Sequence, residues 1–434
     1  MPGFKQTEIG SVPEDWDVQP LGARGHFSKG SGVRKDQAKS GSLPCIRYGE
    51  LYTDHNEIIR RFSSMISQAV ANTARRILLG DEIFAASGET KEDIGKCAVF
   101  VDDFEAYAGG DTIIFSPRCD HPSFLGYALN QPIAARQKAA RGQGDAVVHI
   151  SAKALSELKL PFPPKAEQKA IAETLLDVDA ALTALSRLIG KKRDLRTGAM
   201  QRLLTGEIRL PGFIDPWQEK RLGDHVSFLR NGVHSRAQLT ITDPVCYLHY
   251  GDIHVSSSLR LDLSKAMMPR LPATAAARLT RLEDGDVVFV DASEDLLGVG
   301  KSLEIEGANG VEAVAGQHTI AARFDKQVLA DGFKGYLQFV PAFIAHLRRL
   351  AAGTKVYATN RKHIASAEIA LPEPDEQRAI ARVLSDIEAE IAALEARLAK
   401  TRDIKQAMMQ ALLTGRVRLP VPAVETCEPE AAHA

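Results

Sequence analysis

The sequence lacks the features of a membrane, secreted or zinc-binding protein. None of its five cysteines forms a Cys-x-x-Cys pair, so a structural zinc site is not expected and a reducing compartment is favoured. No apolar run approaches the length of a membrane span, and the first residues carry neither the apolar stretch nor the cleavage site of a signal peptide. We therefore expect a cytoplasmic protein.

An excess of charge of one sign is also missing. The chain has 54 Lys and Arg against 55 Asp and Glu, which gives a formal net charge of −1. This balance counts mildly against nucleic-acid binding over the whole surface, but it leaves local basic patches open. A length of 434 residues, with 44% hydrophobic residues, indicates a globular protein of two to four domains.

One long stretch occurs twice in the chain. Glu167 begins a segment that opens Glu-Gln-Lys-Ala-Ile-Ala and ends in Leu-Leu-Thr-Gly at Gly206. Glu376 begins a segment that opens Glu-Gln-Arg-Ala-Ile-Ala and ends in Leu-Leu-Thr-Gly at Gly415. Both ends are 209 positions apart (376 − 167 and 415 − 206). A gapless repeat of this length indicates an internal duplication.

Each repeated segment predicts a long helix. Apolar residues recur in alternating steps of four and three, which is the spacing of a coiled-coil seam. Prolines precede each segment, and Gly206 and Gly415 are placed as C-terminal caps. The alternative is two unrelated amphipathic helices, each packed on its own globular core. The predicted seam consists of Ile171, Leu175, Val178, Leu182 and Leu185 in the first helix and Ile380, Leu384, Ile387, Ile391, Leu394 and Leu398 in the second.

The duplication extends to the strand-rich regions before the helices. Trp16 and Trp217 follow similar proline-containing entries, and each precedes a Leu-Gly pair. Shorter helices are expected at about 122–140 and 331–352, while the loops at 29–42 and 230–243 differ between the halves. A shared scaffold with divergent loops is typical of two binding modules with different targets, because loops carry specificity on a rigid frame. Neutral drift after duplication is the alternative.

These patterns predict an α+β fold. Two globular mixed α/β domains are separated by two long helices, which form an antiparallel coiled coil within a pseudo-twofold internal repeat. The antiparallel direction follows from the short connection of about ten residues between the first helix and the second domain. The predicted bounds are 1–160 and 207–370 for the domains, 161–206 and 371–415 for the helices, and 416–434 for a disordered tail.

The doubled signature resembles the specificity subunit of type I restriction–modification systems, over residues 8–420. It consists of a domain opening near Pro-x-x-Trp, a proline-rich entry, Glu-Gln-x-x-Ile, a long helix and Leu-Leu-Thr-Gly. The resemblance implies two target recognition domains, each reading one half of a bipartite double-stranded DNA sequence. It implies that the helices are a spacer and a dock for two methyltransferase (modification) subunits, which restriction subunits join. It also implies a chain without catalytic residues, metal or cofactor, with S-adenosylmethionine, ATP and Mg on the partner subunits only.

Polar and basic residues in the divergent, glycine-rich loops are the candidates for DNA contact. Arginine can read guanine, Asn or Gln can read adenine, and lysine mostly holds phosphate. For any single residue, the alternative is a side chain that is exposed to solvent and does not contact DNA. The first domain offers Lys29, Arg34, Lys35, Ser87, Glu89, Thr90, Lys91, Arg141 and Gln143. The second offers Arg230, Asn231, His234, Arg236, Ser293, Lys355, Tyr357, Asn360, Arg361 and Lys362. Further phosphate contacts are expected from Arg60, Arg61, Arg75 and Arg76.

Three other functions remain alternatives: two kinds of enzyme, a nuclease or a methyltransferase, and a structural adaptor. A nuclease would use Asp81, Glu89 and Lys91, although the second half has no equivalent Glu-x-Lys. A methyltransferase would need an Asn/Asp-Pro-Pro-aromatic motif, and Pro163-Pro164 lacks both flanking residues. The third possibility is a coiled-coil adaptor with no nucleic-acid ligand.

Overall fold

The computed structural model describes residues 3–353 and 356–420, so most of the predicted tail at 416–434 lies outside the described residues. The chain divides into two compact units. Unit 1 combines Met1–Ser186 with Arg397–Ala434, and unit 2 is Arg187–Ala396. The predicted domain bounds remain predictions. Within the described ranges, no helix is long and apolar enough to span a membrane.

Unit 1 is built mainly from short strands and short helices. Its strands are β1 (Phe4–Thr7), β2 (Gly10–Pro13), β3 (Asp17–Pro20), β4 (Gly25–Lys29), β5 (Leu43–Ile46), β6 (Ser64–Ile66), β7 (Arg75–Ile77), β8 (Glu82–Ala85), β9 (Ser87–Gly88), β10 (Cys97–Val99), β11 (Ala106–Ala108), β12 (Thr112–Pro117), β13 (Val148–His149) and β14 (Lys159–Phe162). Its short helices are α1 (Glu50–Thr53), α2 (Gln68–Ala71), α3 (Pro122–Ala128), α4 (Pro132–Arg141) and α5 (Ala152–Ser156), with 3-10 turns at Leu21–Ala23 and Lys35–Gln37.

Unit 2 repeats this construction, and two long helices contribute to both units. The long helices are α6 (Lys165–Leu203) and α11 (Pro374–Leu412). The strands of unit 2 are β15 (Gln218–Arg221), β16 (Val226–Phe228), β17 (Val245–Leu248), β18 (Arg260–Asp262), β19 (Arg270–Leu271), β20 (Val287–Val290), β21 (Ala292–Ser293), β22 (Ser302–Glu306), β23 (Ala313–Ala315), β24 (Thr319–Phe324), β25 (Tyr357–Ala358) and β26 (Glu368–Leu371). Its short helices are α7 (Tyr250–Val255), α8 (Ala273–Ala276), α9 (Pro341–Leu350) and α10 (Arg361–Ala365), with 3-10 helices at Leu222–His225, Arg236–Gln238 and Lys334–Phe339.

Each unit has two main sheets, with four and four strands in unit 1 and five and three in unit 2, and the equivalent strands follow the same order. The strand orders in unit 1 are β10-β8-β12-β4 and β6-β5-β11-β7, and those in unit 2 are β16-β24-β20-β22-β18 and β19-β17-β23. The central strands are rich in β-branched and aromatic residues, which pack well on a half-buried pleated surface. The pairs β5–β11 and β17–β23 are parallel, whereas most of their neighbours are antiparallel. The duplication predicted from sequence is therefore confirmed at the level of the fold.

The prediction of two shorter helices, each continuous, is wrong. The first consists of α3 and α4, and the second consists of the 3-10 helix Lys334–Phe339 followed by α9. Pro132 and Pro341 begin the later helix in each case. Proline lacks an N–H and disfavours helical backbone in the residue before it, so each earlier helix ends there. The preceding residues, Gln131 and Val340, are extended accordingly.

The two long helices match the prediction closely. Each has 39 residues, and both of their ends are again 209 positions apart (374 − 165 and 412 − 203). Gly206 and Gly415 follow their ends with φ of 71° and 70°, the left-handed conformation of a C-terminal cap.

Within each unit the two long helices run antiparallel. In unit 2, residues 187–203 of α6 meet residues 374–396 of α11, and Lys192 Nζ lies 2.7 Å from Glu390 Oε2. In unit 1, Leu175 of α6 and Met409 of α11 share one hydrophobic core. The early part of one helix thus pairs with the late part of the other. Among the predicted seam residues, Ile171, Leu175, Ile380, Leu384 and Ile391 are buried, and Val178, Leu182, Leu185, Ile387, Leu394 and Leu398 are half-buried.

The tryptophan and the Glu-Gln signature of unit 1 form one buried anchor. Glu167, at the start of α6, accepts hydrogen bonds from Trp16 Nε1 at 3.0 Å and from Arg418 Nη2 at 2.7 Å. The neighbouring Gln168 accepts from His121 N at 2.9 Å through its carbonyl oxygen. Because Glu167 and Gln168 are buried, every one of these partners compensates for lost hydration.

Unit 2 contains the same anchor, built on the Glu-Gln pair 209 positions later. Glu376, at the start of α11, accepts from Trp217 Nε1 at 3.2 Å and from Arg209 Nη2 at 2.6 Å. Gln377 accepts from Ala330 N at 2.9 Å. The repeated motif is therefore the joint between each strand-rich region and its helix.

Buried ionisable groups distinguish the core of unit 1 from that of unit 2. One is Lys138 of α4, whose equivalent in α9 is the apolar Leu347, and another is Glu82. Glu82 of β8 is fully buried, and its carboxyl has no hydrogen-bond partner within the described residues. Its counterpart in unit 2 is Val287, because Phe115 of β12 pairs with Glu82 as Ala322 of β24 pairs with Val287. Burial raises the pKa of Glu82 well above its ordinary value. Above the ordinary value of 4.5, the native state therefore retains a proton that the unfolded state has already released.

Replacing Glu82 with valine is expected to stabilise unit 1 by about 1–3 kcal/mol at neutral pH, because an unsatisfied buried polar group is removed. A raised acid pKa also means that stability falls as pH rises above the ordinary value of 4.5, and E82V should show a shallower fall. Urea unfolding at several pH values, followed by hydrogen exchange in unit 1, measures both effects. E82Q should flatten the pH dependence without the full gain in stability. An E82V protein less stable than wild type at pH 7 would contradict the prediction.

Candidate nucleic-acid interface

In each unit two parallel strands end side by side at one edge. In unit 1 these are β5 and β11, and Gly109 N donates to Ile46 O at 2.8 Å just after both strands. In unit 2 these are β17 and β23, and Gly316 N donates to Leu248 O at 2.8 Å. The carboxyl ends of neighbouring parallel strands bring the following loops together, which is where ligands bind in many α/β sheets.

The loop after β11 and the loop after β23 have the same backbone conformation. Thr112 and Thr319 each donate a side-chain hydrogen bond to the carbonyl oxygen three residues earlier, at 2.7 and 2.6 Å. The residues just before them, Asp111 and His318, have φ of 57° and 55°. A positive φ is uncommon outside glycine, although Asp and His adopt it more readily than most residues. The two loops thus share a backbone and differ in the side chain they present.

In unit 1 this loop borders a cleft of about 260 Å³. Three of the residues selected from the sequence line it, namely Lys29, Arg141 and Gln143, together with Asp111 and His149. Gln143 and His149 are held to each other by two backbone hydrogen bonds of 2.9 and 2.8 Å. The structure therefore brings two cations, an amide and a carboxylate into one polar cleft.

The other candidates in unit 1 lie elsewhere. Ser87 is buried, and its Oγ lies 2.9 Å from His149 Nδ1. Arg34 Nε lies 3.6 Å from Asp36, and Arg60 Nη2 lies 3.3 Å from Asp179. The remaining ones are exposed, and these are Lys35, Glu89, Thr90, Lys91, Arg61, Arg75 and Arg76.

In unit 2 the corresponding edge borders a larger cleft of about 550 Å³. Tyr250, His254, Ser293 and His318 line it. The Tyr250 and His318 rings are nearly perpendicular, with their centroids 5.5 Å apart. The Tyr250 and His254 rings are also nearly perpendicular, with their centroids 6.1 Å apart. Ser293 is the only residue of this lining that the sequence selected, and it is buried. This edge carries an aromatic ring, two histidines and the carboxylates of Glu294 and Asp295, whereas that of unit 1 carries two cations and one carboxylate.

Two further candidates of unit 2 are joined beside the same loop. Asn231 Nδ2 donates to Gly316 O at 3.2 Å, and Asn231 Oδ1 accepts from Arg361 Nη2 at 3.1 Å. Arg361 also donates to Leu229 O at 2.8 Å. Both side chains therefore brace the loop that carries His318.

The rest of the unit 2 candidates are dispersed. Asn360 caps α10 by accepting from Lys362 N at 2.9 Å and His363 N at 3.1 Å. Arg236 Nη1 pairs with Asp252 at 3.0 Å. Arg230 and Lys362 are exposed, His234 and Tyr357 are half-buried, and Lys355 lies outside the described residues. DNA contact by any of these residues stays a prediction.

The residues proposed for nuclease chemistry do not assemble a metal site. Asp81 is buried and accepts from Leu78 N at 2.8 Å and from Ser116 Oγ at 2.5 Å, so it stabilises its own turn. In the part of the chain that the structure describes, no group of three or more His, Cys, Asp or Glu could hold a metal ion.

Comparison with known proteins adds independent information. The family model for the type I restriction modification DNA specificity domain matches residues 13–191. The putative type I restriction enzyme MjaX specificity subunit of Methanocaldococcus jannaschii is 23% identical over 432 residues, covering 96% of this chain and 97% of that protein. The type I restriction enzyme EcoKI specificity subunit of Escherichia coli is 21% identical over 444 residues, covering 94% of this chain and 90% of that protein.

Solved structures show the same fold. The S subunit of a type I restriction–modification system from M. genitalium aligns with a TM-score of 0.56 at 14% identity, covering 95% of this chain and 98% of that chain. A chain from a structure of type I restriction–modification complex assembly aligns with a TM-score of 0.54 at 16% identity, covering 94% of this chain and 99% of that chain. Both the sequence relatives and the structural neighbours extend over both halves of the duplication. The chain is therefore similar over both of its halves to type I restriction–modification specificity subunits, and it shares the fold of the solved ones.

Proposed function

We propose that this chain selects a bipartite sequence in double-stranded DNA for a type I restriction–modification complex, with one half-site read by each unit. The observation that carries the proposal is the repeated edge, where one backbone framework presents two cations and one carboxylate in unit 1, and an aromatic ring, two histidines and two carboxylates in unit 2. Different side chains on one frame are what the recognition of two different half-sites requires, because base edges are read by side-chain hydrogen bonds and contacts.

The proposed partners are two methyltransferase subunits, joined by restriction subunits. Support comes from apolar side chains exposed at repeat-equivalent positions of the long helices. Leu195 on α6 is 55% exposed and Ile404 on α11 is 45% exposed, and they are 209 positions apart (404 − 195). Equivalent apolar positions, one in each unit, suit two copies of one partner, because exposed apolar side chains gain free energy when a partner covers them.

In this proposal the chain contributes recognition and assembly in the cytoplasm, and its partners contribute the chemistry. S-adenosylmethionine, ATP and Mg are assigned to the partner subunits. The chain's own residues would position the DNA so that a methyltransferase subunit reaches each half-site.

Exchanging residues 1–160 for the corresponding region of a family member is expected to change one half-site and preserve the other. The reason is that each unit carries its own clefts and its own divergent loops. The hybrid is produced together with its modification subunits, and the methylated motif is read by sequencing the modified host DNA. A matched exchange of residues 207–370 should change the other half-site. A change in both half-sites after a single exchange would refute the assignment of one half-site to each unit.

A coiled-coil adaptor makes a different prediction. The purified complex, tested by gel shift on duplexes with the intact motif and with a scrambled motif, should prefer the intact one. Equal affinity for both duplexes would favour the adaptor and refute sequence recognition.

A further inference from the structure

We propose that Asp111 and His318 determine sequence specificity, each by contacting the edge of one base in the half-site of its own unit. This inference rests on the proposed function and assigns to it two residues that sequence patterns did not select. It follows from their equivalent places in the two units, from the unused hydrogen-bonding capacity of their side chains and from the composition of the surrounding clefts.

The two residues hold the same place in their units. Each is the third residue after a parallel strand, and each precedes a threonine that begins an interior strand of the other main sheet, β12 in unit 1 and β24 in unit 2. The carbonyl oxygen of Asp111 accepts from Ala86 N at 2.9 Å, and that of His318 accepts from Asp291 N at 3.2 Å. The two side chains therefore leave equivalent points of the frame.

Both side chains are exposed and retain polar atoms that the protein does not use. The Asp111 carboxylate makes no hydrogen bond or ion pair with the described residues, although it lies in a cleft with Lys29 and Arg141. His318 has Nδ1 at 3.4 Å from Asp291 Oδ1, and its Nε2 makes no hydrogen bond within the described chain. The edge of the Tyr250 ring restricts the orientation of the imidazole.

The backbone at these positions favours glycine, yet both carry a polar side chain. With φ of 57° and 55°, each residue lies in the left-handed region, which costs a non-glycine residue free energy. A glycine would adopt the same loop without that cost. The loop itself does not require either side chain, so we assign each of them to contact with a ligand outside the protein.

The chemistry of Asp111 restricts the base it can read. An ionised carboxylate only accepts hydrogen bonds, so its partner must present an amino group in the major groove. Cytosine N4 and adenine N6 are the two groups that do so. Lys29 and Arg141 in the same cleft offset the repulsion between this carboxylate and the DNA phosphates. His318, which can donate or accept, reads a different edge, and this difference gives the two half-sites different sequences.

Glycine substitutions test the assignment without disturbing the loop. The full chain carrying Asp111→Gly or His318→Gly is assembled with its modification subunits, and both complexes should unfold at the wild-type temperature or above. The methylated motif should become degenerate at one position of one half-site for D111G and at one position of the other half-site for H318G. For D111G that position should be a C or an A on one strand.

Binding measurements make the result quantitative. Duplexes with each base pair of the motif replaced in turn are titrated with each complex. Discrimination at the affected position should fall by about 5- to 150-fold, the range that one good base contact supplies. Asp103, which is exposed in the connection between β10 and β11, provides the matched control, and D103G should leave the motif unchanged.

The outcomes separate this inference from the proposed function. An unchanged motif with D111G and H318G, in complexes that still methylate a bipartite site, overturns the inference alone. A uniform loss of affinity at every position also overturns it, because that is the behaviour of a phosphate contact. If the wild-type complex shows no sequence preference, the proposed function itself is refuted.

Discussion

Replacing Arg418 with methionine is expected to destabilise unit 1 by about 3 kcal/mol. Arg418 Nη2 donates to Glu167 Oε2 at 2.7 Å, and the same guanidinium pairs with Asp15 at 2.7 Å. Without it, the buried Glu167 carboxylate retains only the indole N–H of Trp16. Breaking a buried pair costs about 3–5 kcal/mol, and the lower end applies because the Arg418 side chain is 26% exposed.

Hydrogen exchange of the purified complex measures this loss unit by unit. Peptides of unit 1 should exchange faster in R418M, while those of unit 2 should not. Adding Glu167→Gln should restore part of the stability, because glutamine removes the unpaired charge and still accepts from Trp16. R209M is the matched variant and should affect unit 2 in the same way, through Glu376. An R418M protein whose unit 1 exchanges like wild type would show that the anchor does not stabilise the joint.

Replacing Lys405 with methionine is expected to cost about 3 kcal/mol in unit 1, the lower end for a broken buried pair. Glu57 loses its cation, whereas Asp179 keeps Arg60 Nη2 at 3.3 Å. Lys405 Nζ lies 2.9 Å from Glu57 Oε2 and 2.8 Å from Asp179 Oδ1. Its side chain is only 12% exposed. Tyr127 donates to the other oxygen of Asp179 at 2.7 Å, so the carboxylate is held in place without the lysine.

Lys405 keeps its positive charge across the neutral pH range. Burial acts to lower the pKa of Lys405, but Glu57 and Asp179 outweigh it, and the pKa is raised overall. A raised lysine pKa contributes stability that is present below the ordinary value of 10.5 and is lost only as pH rises beyond it. The difference between wild type and K405M should therefore stay constant between pH 6 and 8, a window chosen to lie about 2 units or more below that value.

Unit 2 offers a control for this prediction. The position equivalent to Glu57 is Leu259, since Val99 N donates to Glu57 O as Glu304 N donates to Leu259 O. The equivalent cation of unit 2 is Arg196, and the carboxylate near it is that of Glu388. Burial raises the pKa of Glu388 by more than Arg196 lowers it. R196M should cost unit 2 less than K405M costs unit 1. Equal losses would contradict the role assigned to the second carboxylate.

Local patterns predicted the long helices to within four residues at each end. Periodicity, flanking prolines and the cap glycines all act within a few residues of the chain, so they are visible in the sequence. The same kind of signal was present at Pro132 and Pro341, where single helices were expected and the structure has breaks. Proline decided both positions, because its effect on the preceding residue is also local.

Residue type and loop divergence located part of the candidate site. They selected Lys29, Arg141 and Gln143, which the structure gathers in one cleft. They overlooked Asp111 and His318, because the surrounding Gly-x-x-Thr pattern is shared by both halves and looks like framework. The signal that could have found them is the differing third residue within this shared turn.

The sequence by itself determined the duplication, the two helices with their caps and the positions of the repeated motifs, because each of these depends on neighbours along the chain. Only the tertiary structure decided which remote residues meet. The partners Glu167 and Arg418 are 251 positions apart, and no periodicity connects them. Burial of Glu82, with the buried Lys138 nearby, is also invisible in a strand of four residues. Burial and pairing depend on packing between distant segments, whereas sequence patterns report only the faces of single elements.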